Sequence, residues 1–368
     1  MKKIGIISLF GYNNYGNRLQ LYAVQQVYKN LGYDSEIIKY IHPTTKDPLP
    51  IRVKVFVHYV LNLRTNLAVA TLKNLRIRNF KKHALKFYKE SANFADPLKI
   101  DAKFHENYSF FSVGSDQVWG WFNADIAEFV FLKFAPRAKR LAFAPSFGSA
   151  KIDQKYRKVF SEGLNGFNTI SVREKSGAQL VEKFTGKEAV VLCDPTMCLS
   201  REEWLAFSST HQEKPKAKYI LTYFLGEKNG EVNNILSKYS KDYKVVELNN
   251  LEVSKYYAIN PSEWVDYING ATLFLTDSFH GVVFSILMHT PFAVYKRVGG
   301  ESMQTRITHI LEKFSLQDRF EINAENEGLF SMNFHGISDI VEMEKQNALD
   351  FLRESLIFDT TKYNDFKI

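Results

Sequence analysis

The chain has 368 residues, long enough for two hydrophobic cores, and its 45% hydrophobic and 24% charged residues are those of an ordinary soluble globular protein. A formal net charge of +8 suits an anionic substrate or an acidic membrane surface and does not choose between them. Two cysteines, Cys193 and Cys198, match no zinc or redox spacing and read as free thiols, and no stretch approaches the ~18 apolar residues of a membrane span; a disulfide scaffold, a zinc module and an integral membrane protein are set aside.

The N-terminal MKKIGIISLF is too short for a signal-peptide core and lacks a small-residue cleavage site, so it reads as the first strand of a cytosolic protein. Lys3–Phe10 as strand, Gly11–Asn17 as polar loop and Arg18–Leu31 as helix make a βαβ start, with Leu19, Ala23, Val27 and Leu31 on one helix face. Gly32 ends that helix and Tyr33–Tyr40 is the next strand. Residues 51–90 alternate apolar and basic positions (Arg52, Lys54, Arg64, Lys73, Arg76, Arg78, Lys81, Lys82, Lys86) and predict one or two amphipathic helices with a cationic face. A solvated face is the simpler reading; contact with anionic lipid head groups is the other.

Strands follow at Ser109–Val113, Arg140–Pro145, Thr169–Arg173 and Ala189–Cys193, with helical patterns between several of them, as in a largely parallel sheet covered on both faces. The polar, proline-containing Ser208–Lys218 is the best linker, dividing an N-terminal domain (1–207) from a C-terminal one (218–336). A second alternation runs through strand Tyr219–Leu225, helix Gly230–Tyr239, strand Val245–Leu248, helix Ser262–Ile268, the Leu273 strand, the Val282 helix, strand Phe292–Tyr295 and a helix from Met303. The last segment, 337–368, carries a long helical pattern that can pack back on the first domain. The fold class is α/β: two Rossmann-like, doubly wound domains facing a cleft.

The chemistry concentrates where strands end. Leu273, Phe274 and Leu275 form an apolar strand, Val282–Leu287 resumes as helix, and Thr276–Asp277–Ser278–Phe279–His280–Gly281 occupies the handover. Open α/β sheets bind ligands beyond the carboxyl ends of their strands, and a helix start offers unpaired N–H groups to an anion. A histidine there can move a proton or hold a phosphate. The loop Gly11–Arg18 brings glycines, amides, rings and an arginine to the end of the first strand, for sugar contacts or, equally, for turns and capping. Ser115, Asp116, Gln117 and Trp119 follow another apolar strand and suit sugar contacts, or Ser115 or Asp116 is only a helix cap. Arg173 ends a further strand, as an anion clamp or as an ion-pair partner of Glu174, and Asp194-Pro195 reads as turn-forming. Arg306, in the SMQTR segment, completes an anion clamp or lies on a helix surface.

Taken in order, GYNNYGNRLQLYAVQ, SVGSDQVW, APSFG, ISVREKSG, VLCDPTMCL and TDSFHGVVFSILMHTPF resemble the polysaccharide pyruvyl transferase family, from residue 4 to about Arg306. The resemblance implies a glycosyltransferase-B-like fold, with the acceptor on the N-terminal domain and the donor on the C-terminal one. It implies transfer of pyruvate from phosphoenolpyruvate onto two hydroxyls of a sugar, giving a cyclic ketal and phosphate. It makes His280 the catalytic acid, with Asp277 beside it, and places Arg173, Ser278, Phe279, His280, Gly281 and Arg306 around the donor. Asn14, Tyr15, Asn17 and Arg18 with Ser115, Asp116 and Gln117 become acceptor contacts. Some members carry an arginine two residues before the histidine, where this chain has Ser278; Arg306 or a lysine then substitutes, or the donor differs. The expected partners are phosphoenolpyruvate and a sugar or lipid-linked oligosaccharide, in capsule or cell-wall precursor synthesis in the cytoplasm, with peripheral contact to the inner membrane face as an option. No cofactor beyond that co-substrate, no metal and no nucleic acid are expected. Two rivals stand beside this reading: a nucleotide-sugar glycosyltransferase of the same architecture, and a non-catalytic glycan-binding protein.

Overall fold

The computed structural model describes residues 2–41, 63–101, 103–120, 126–297 and 301–357. The first lobe runs β1 (Lys3–Ile7), α1 (Tyr15–Asn30), β2 (Asp34–Ile37), α2 (Leu63–Phe87), β3 (Phe110–Val113), α3 (Ala127–Val130), β4 (Arg140–Ala142), α4 (Arg157–Asn165), β5 (Ser171–Val172), α5 (Lys175–Thr185), β6 (Val190–Val191) and α6 (Arg201–Phe207). Its main sheet has the order β2-β1-β3-β4, all parallel. A single bridge from Ala142 to Ile170 hands over to the parallel pair β5-β6. The second lobe runs β7 (Tyr219–Tyr223), α7 (Gly230–Tyr239), β8 (Lys244–Glu247), α8 (Ser254–Tyr257), α9 (Pro261–Asn269), β9 (Leu273–Thr276), α10 (Phe279–Met288), β10 (Phe292–Val294), α11 (Glu301–Lys313) and α12 (Ile337–Ser355). Its sheet has the order β10-β9-β7-β8, again all parallel.

The central strands β3 (FFSV) and β9 (LFLT) are buried at every position, as parallel strands covered by helices on both faces must be. Helix α10 is buried along all ten residues, so it lies inside the molecule rather than on its surface. Helix α12 packs back on the first lobe: Tyr33 Oη donates to the Leu356 carbonyl at 3.2 Å, and the Thr169 and Ser355 hydroxyls meet at 3.1 Å. Cys193 and Cys198 beneath it are buried free thiols. Among the described residues no helix is long and apolar enough to cross a membrane.

Two helices start earlier than hydrophobic periodicity suggests, and in each a side chain explains the shift. Asn14 Oδ1 accepts from Asn17 N at 3.2 Å, so α1 begins at Tyr15 rather than Arg18. Ser278 Oγ accepts from Gly281 N at 3.3 Å, so α10 begins at Phe279 and His280 lies within its first turn. Of the basic run at 51–90, Arg52 and Lys54 lie outside the described residues. Arg76 leaves the expected cationic face and is buried: its guanidinium lies 4.6 Å from the Tyr15 ring centroid and 4.9 Å from that of Tyr257, and donates to Asn249 Oδ1 at 2.9 Å.

That arginine belongs to the joint between the lobes. Tyr15 stacks on Trp264 with centroids 5.4 Å apart and donates to the Ile259 carbonyl at 3.0 Å. Asn79 Nδ2 donates to the Ala258 carbonyl at 2.7 Å, and His83 Nε2 meets the Ser262 hydroxyl. Buried aromatic pairs of this kind contribute about 0.5–1.5 kcal/mol beyond their area. The joint therefore fixes the starts of α1 and α10 relative to one another, and the site lies between those starts.

Candidate active site

Strand β9 delivers Asp277, fully buried, at its carboxyl end. Its carboxylate accepts from the N–H groups of Leu225 and Gly226, both at 2.8 Å, and from Arg297 Nε at 3.1 Å. These bonds pin the turn after β7 and hold Arg297 in place. Ser278 then caps α10, and Phe279 and His280 occupy its first turn, where N–H groups lack intrahelical partners and the helix dipole is positive.

His280 meets the first lobe directly. A Cβ built on Gly16, in the first turn of α1, would stand 2.2 Å from His280 Nδ1, so only glycine lets the two helix starts approach this closely. The other ring nitrogen, Nε2, lies 3.6 Å from Asp194 Oδ2 and has no hydrogen-bond partner. Asp194 follows β6 and caps the 3₁₀ turn Pro195–Cys198. Its Oδ1 accepts from Thr196 N at 3.0 Å and Thr196 Oγ1 at 2.7 Å. Its Oδ2 accepts from Arg173 Nη1 at 2.7 Å and lies 3.5 Å from Ser115 Oγ. Reading Asp194 as a turn former captured one oxygen; the other stands at the centre of the site. The available signal was the same one that marked Arg173, an apolar strand ending in a charged side chain.

Arg173 is 3% exposed and ringed by carboxylates: Glu174 at 3.3 Å from Nε, Asp194 at 2.7 Å from Nη1 and Asp116 at 3.8 Å from Nη2. Nη2 makes no hydrogen bond. Burial pulls the Arg173 pKa down, but Glu174, Asp194 and Asp116 outweigh it and leave the value raised. Burial likewise pushes the Asp194 carboxyl up, and His280, Arg173 and Thr196 together reverse this and hold it well below the ordinary carboxylate range. Both guanidinium groups lie near Phe279, Arg173 4.5 Å and Arg306 5.6 Å from its ring centroid. Burial and then repulsion from Arg173 lower the Arg306 pKa to about 10, so it stays charged at neutral pH. Arg306 also feels the charges of Glu174 and Asp116, so the two arginines share one cluster of carboxylates.

Several expected acceptor contacts serve the fold instead. Arg18 is fully buried, donates to Glu90 at 2.7 Å and the Phe10 carbonyl at 3.2 Å, and lies 4.0 Å from the Tyr88 ring centroid. Tyr15 is consumed by the lobe joint and Asn14 by capping. Asn17 remains half-buried beside Gly16. Ser115 is buried, with Oγ donating to the Ala144 carbonyl at 3.0 Å, and Trp119 is a core residue donating to the Val130 carbonyl. Asp116 faces Arg173, and Gln117 packs against Gly148, whose φ is +65°. Gly281 is needed for packing, since a Cβ there would stand 2.7 Å from Thr276 Oγ1. Gly16, Glu174, Asp194 and Arg297 are the site's further members. Among the described residues no group of three or more His, Cys, Asp or Glu side chains is arranged to hold a metal.

An acid, a buried carboxylate beside it and an unfilled guanidinium N–H can bind a small anion and deliver a proton to it. The solved structures of like shape include S. aureus MnaA in co-structure with UDP, at a TM-score of 0.53 and 12% identity over 100% of both chains. They also include the UDP-GlcNAc 2-epimerase from Neisseria meningitidis bound to UDP-GlcNAc, at 0.42 and 11% over 94% of this chain and 100% of that one. The glycosyltransferase SnogD from Streptomyces nogalater is similar at 0.44 and 8%, over 96% and 99%. No curated protein matches the chain at significance. The likeness to MnaA carries the architecture, and the two parallel α/β lobes form a glycosyltransferase-B-like fold. Residues 14–297, well over half of the sequence, match the polysaccharide pyruvyl transferase family, and the chain belongs to that family.

Proposed function

We propose that the protein transfers pyruvate from phosphoenolpyruvate to two hydroxyls of a sugar in a surface-polysaccharide or cell-wall precursor, in the cytoplasm, forming a cyclic ketal and releasing phosphate. The observation that carries this reading is a pair of buried, unpartnered nitrogens, Arg173 Nη2 and His280 Nε2, on either side of Asp194. Unsatisfied polar atoms at this depth are costly unless a ligand completes them. One is a cationic donor for an anion and the other a proton carrier, the two functions this donor needs.

In the proposed sequence His280 Nε2 gives its proton to the methylene carbon of phosphoenolpyruvate, leaving C2 electron-poor. A sugar hydroxyl attacks C2, forming a C–O bond, and its proton returns to His280. The C2–O bond to phosphate then breaks, the second hydroxyl closes the ketal ring, and its proton leaves with the phosphate. Asp194 faces the imidazole throughout and balances its charge whenever the ring is protonated. Arg306, the N–H groups at the start of α10 and Arg297 supply the positive charge absent at Ser278.

The test is phosphate release from phosphoenolpyruvate with candidate glycans, with mass spectrometry of the product. Release without any nucleotide, and a pyruvate-sized mass gain on the glycan, support the assignment. His280→Ala should lose about 10²–10⁴ in rate. Turnover of a nucleotide-sugar with no use of phosphoenolpyruvate would refute it.

A further inference from the structure

Helix α2 has two faces with different fates. Its inner face, with Arg76, Phe80, His83 and Ala84, is buried in and around the lobe joint. Its outer face presents Leu75, Arg78, Lys81, Lys82, Leu85 and Lys86 to solvent. At 100° per residue these six fall within about 140° of arc, so they form one stripe. Leu75 is 41% and Leu85 88% exposed, values that isolated surface leucines reach but that recur here within a row of cations. The helix contains no aspartate or glutamate. Among the described residues none of its four stripe cations has a carboxylate partner, whereas neighbouring Lys89 is held by Asp34.

Leucine and cation alternating on one uncovered face suit a partner that is anionic at its surface and apolar just beneath it. A polyanion such as RNA would answer the charges and leave the leucines wet. A bilayer interface takes both, because lysine and arginine stems lie along the apolar layer while their heads reach the phosphates. Lys81 Nζ lies 5.6 Å from the ring centroid of Tyr12, in the loop before α1. We propose that the outer face of α2 is a peripheral docking surface for a bilayer containing anionic lipid. The inference holds whichever donor the site takes.

The experiment is flotation of the full chain with phosphatidylcholine vesicles, with and without about one third phosphatidylglycerol, at near-physiological salt. Binding to the anionic vesicles alone, weakened by high salt, is the expected result. Each cation near such a surface contributes about fivefold in partitioning, so the double variant R78Q/K82Q should bind about 25-fold more weakly. L75S/L85S should also weaken binding, and both variants should melt with the parent because the changed side chains are exposed. Failure to float, equal binding to neutral vesicles, or a charge variant that floats like the parent would each overturn the proposal. So would retention on a soluble polyanion without vesicle binding.

Discussion

Replacing Asp194 by asparagine keeps the side chain's shape and removes its charge from the middle of the site. Either amide orientation sets an N–H against a donor, Arg173 Nη1 at one oxygen position or Thr196 N at the other. Deleting one partner of a buried ion pair typically costs about 3–5 kcal/mol. Arg173 keeps Glu174 at 3.3 Å and Asp116 at 3.8 Å, which lowers the expectation to about 2 kcal/mol. For a chain of this size that is a fall of roughly 2–4 °C in Tm. Activity should suffer more. Unit charges at the 3.6 Å separating His280 Nε2 from Asp194 Oδ2 interact by about 4–5 kcal/mol at an effective dielectric of ~20. Neighbouring carboxylates and water screen part of this, and about 3 kcal/mol lost from the transition state is a factor of about 10² in kcat. The assay is phosphate release from phosphoenolpyruvate with an acceptor glycan. The KM for the donor should move much less, because Arg173 Nη2 and Arg306 remain. A folded Asp194→Asn enzyme with kcat within about threefold of the parent would remove Asp194 from the proton step.

Gly16→Ala places a methyl group 2.2 Å from His280 Nδ1, so the ring must move; kcat should fall by about 10²-fold and stability by about 1–3 kcal/mol, and an unchanged kcat would mean the ring's position is not critical. Arg76→Ala removes the cation lying over Tyr15 and Tyr257 and its bond to Asn249, which should lower stability by about 2–4 kcal/mol in denaturant unfolding; an unchanged midpoint would place the joint's strength elsewhere. Burial, with the charges of Arg18 and Lys86, lowers the His83 pKa from 6.5 to about 3. The folded ring therefore stays neutral while the unfolded chain takes up the proton, so this contribution is intact above about pH 6.5 and lost as pH falls towards 3. By about pH 4.5 the loss is roughly 2–3 kcal/mol, and His83→Gln should flatten that slope in unfolding measured at both pH values.

The parts of the fold that are legible in the sequence are those whose signal is local. Continuous apolar runs such as FFSV and LFLT announce parallel strands covered on both faces, and the polar residues after them mark where Asp116 and His280 emerge. Three features resist such reading because their partners are distant in the chain. Tyr15 and Arg18 resemble loop residues offered to a sugar, but a side-chain cap from Asn14 starts the helix early and turns both inward, one to Trp264 and the other to Glu90. Arg76 looks like one more cation on an amphipathic face, and only the approach of Tyr257 and Asn249 makes its burial tolerable. Asp194 looks like a turn residue because it is one; a single carboxylate can cap a turn with one oxygen and serve a site with the other.

The distribution of charge around Phe279 argues for one orientation of the proposed donor. Arg173, surrounded by Asp116, Glu174 and Asp194, contributes direction through Nη2 rather than net positive charge. Arg306 lies near the same ring, repelled by Arg173 and Arg297 and attracted by Glu174 and Asp116. We propose that the heavier anionic end of phosphoenolpyruvate points towards Arg306 and the first N–H groups of α10, away from Asp194. The uncharged methylene end is then left facing His280, where a proton is to be delivered. The Ser278 hydroxyl is occupied in capping α10, and in the proposed reading Arg306 on α11 supplies a cation to the donor. Arg306→Gln should therefore weaken donor binding more than Arg173→Gln does, and the opposite ranking of donor KM would reverse the orientation.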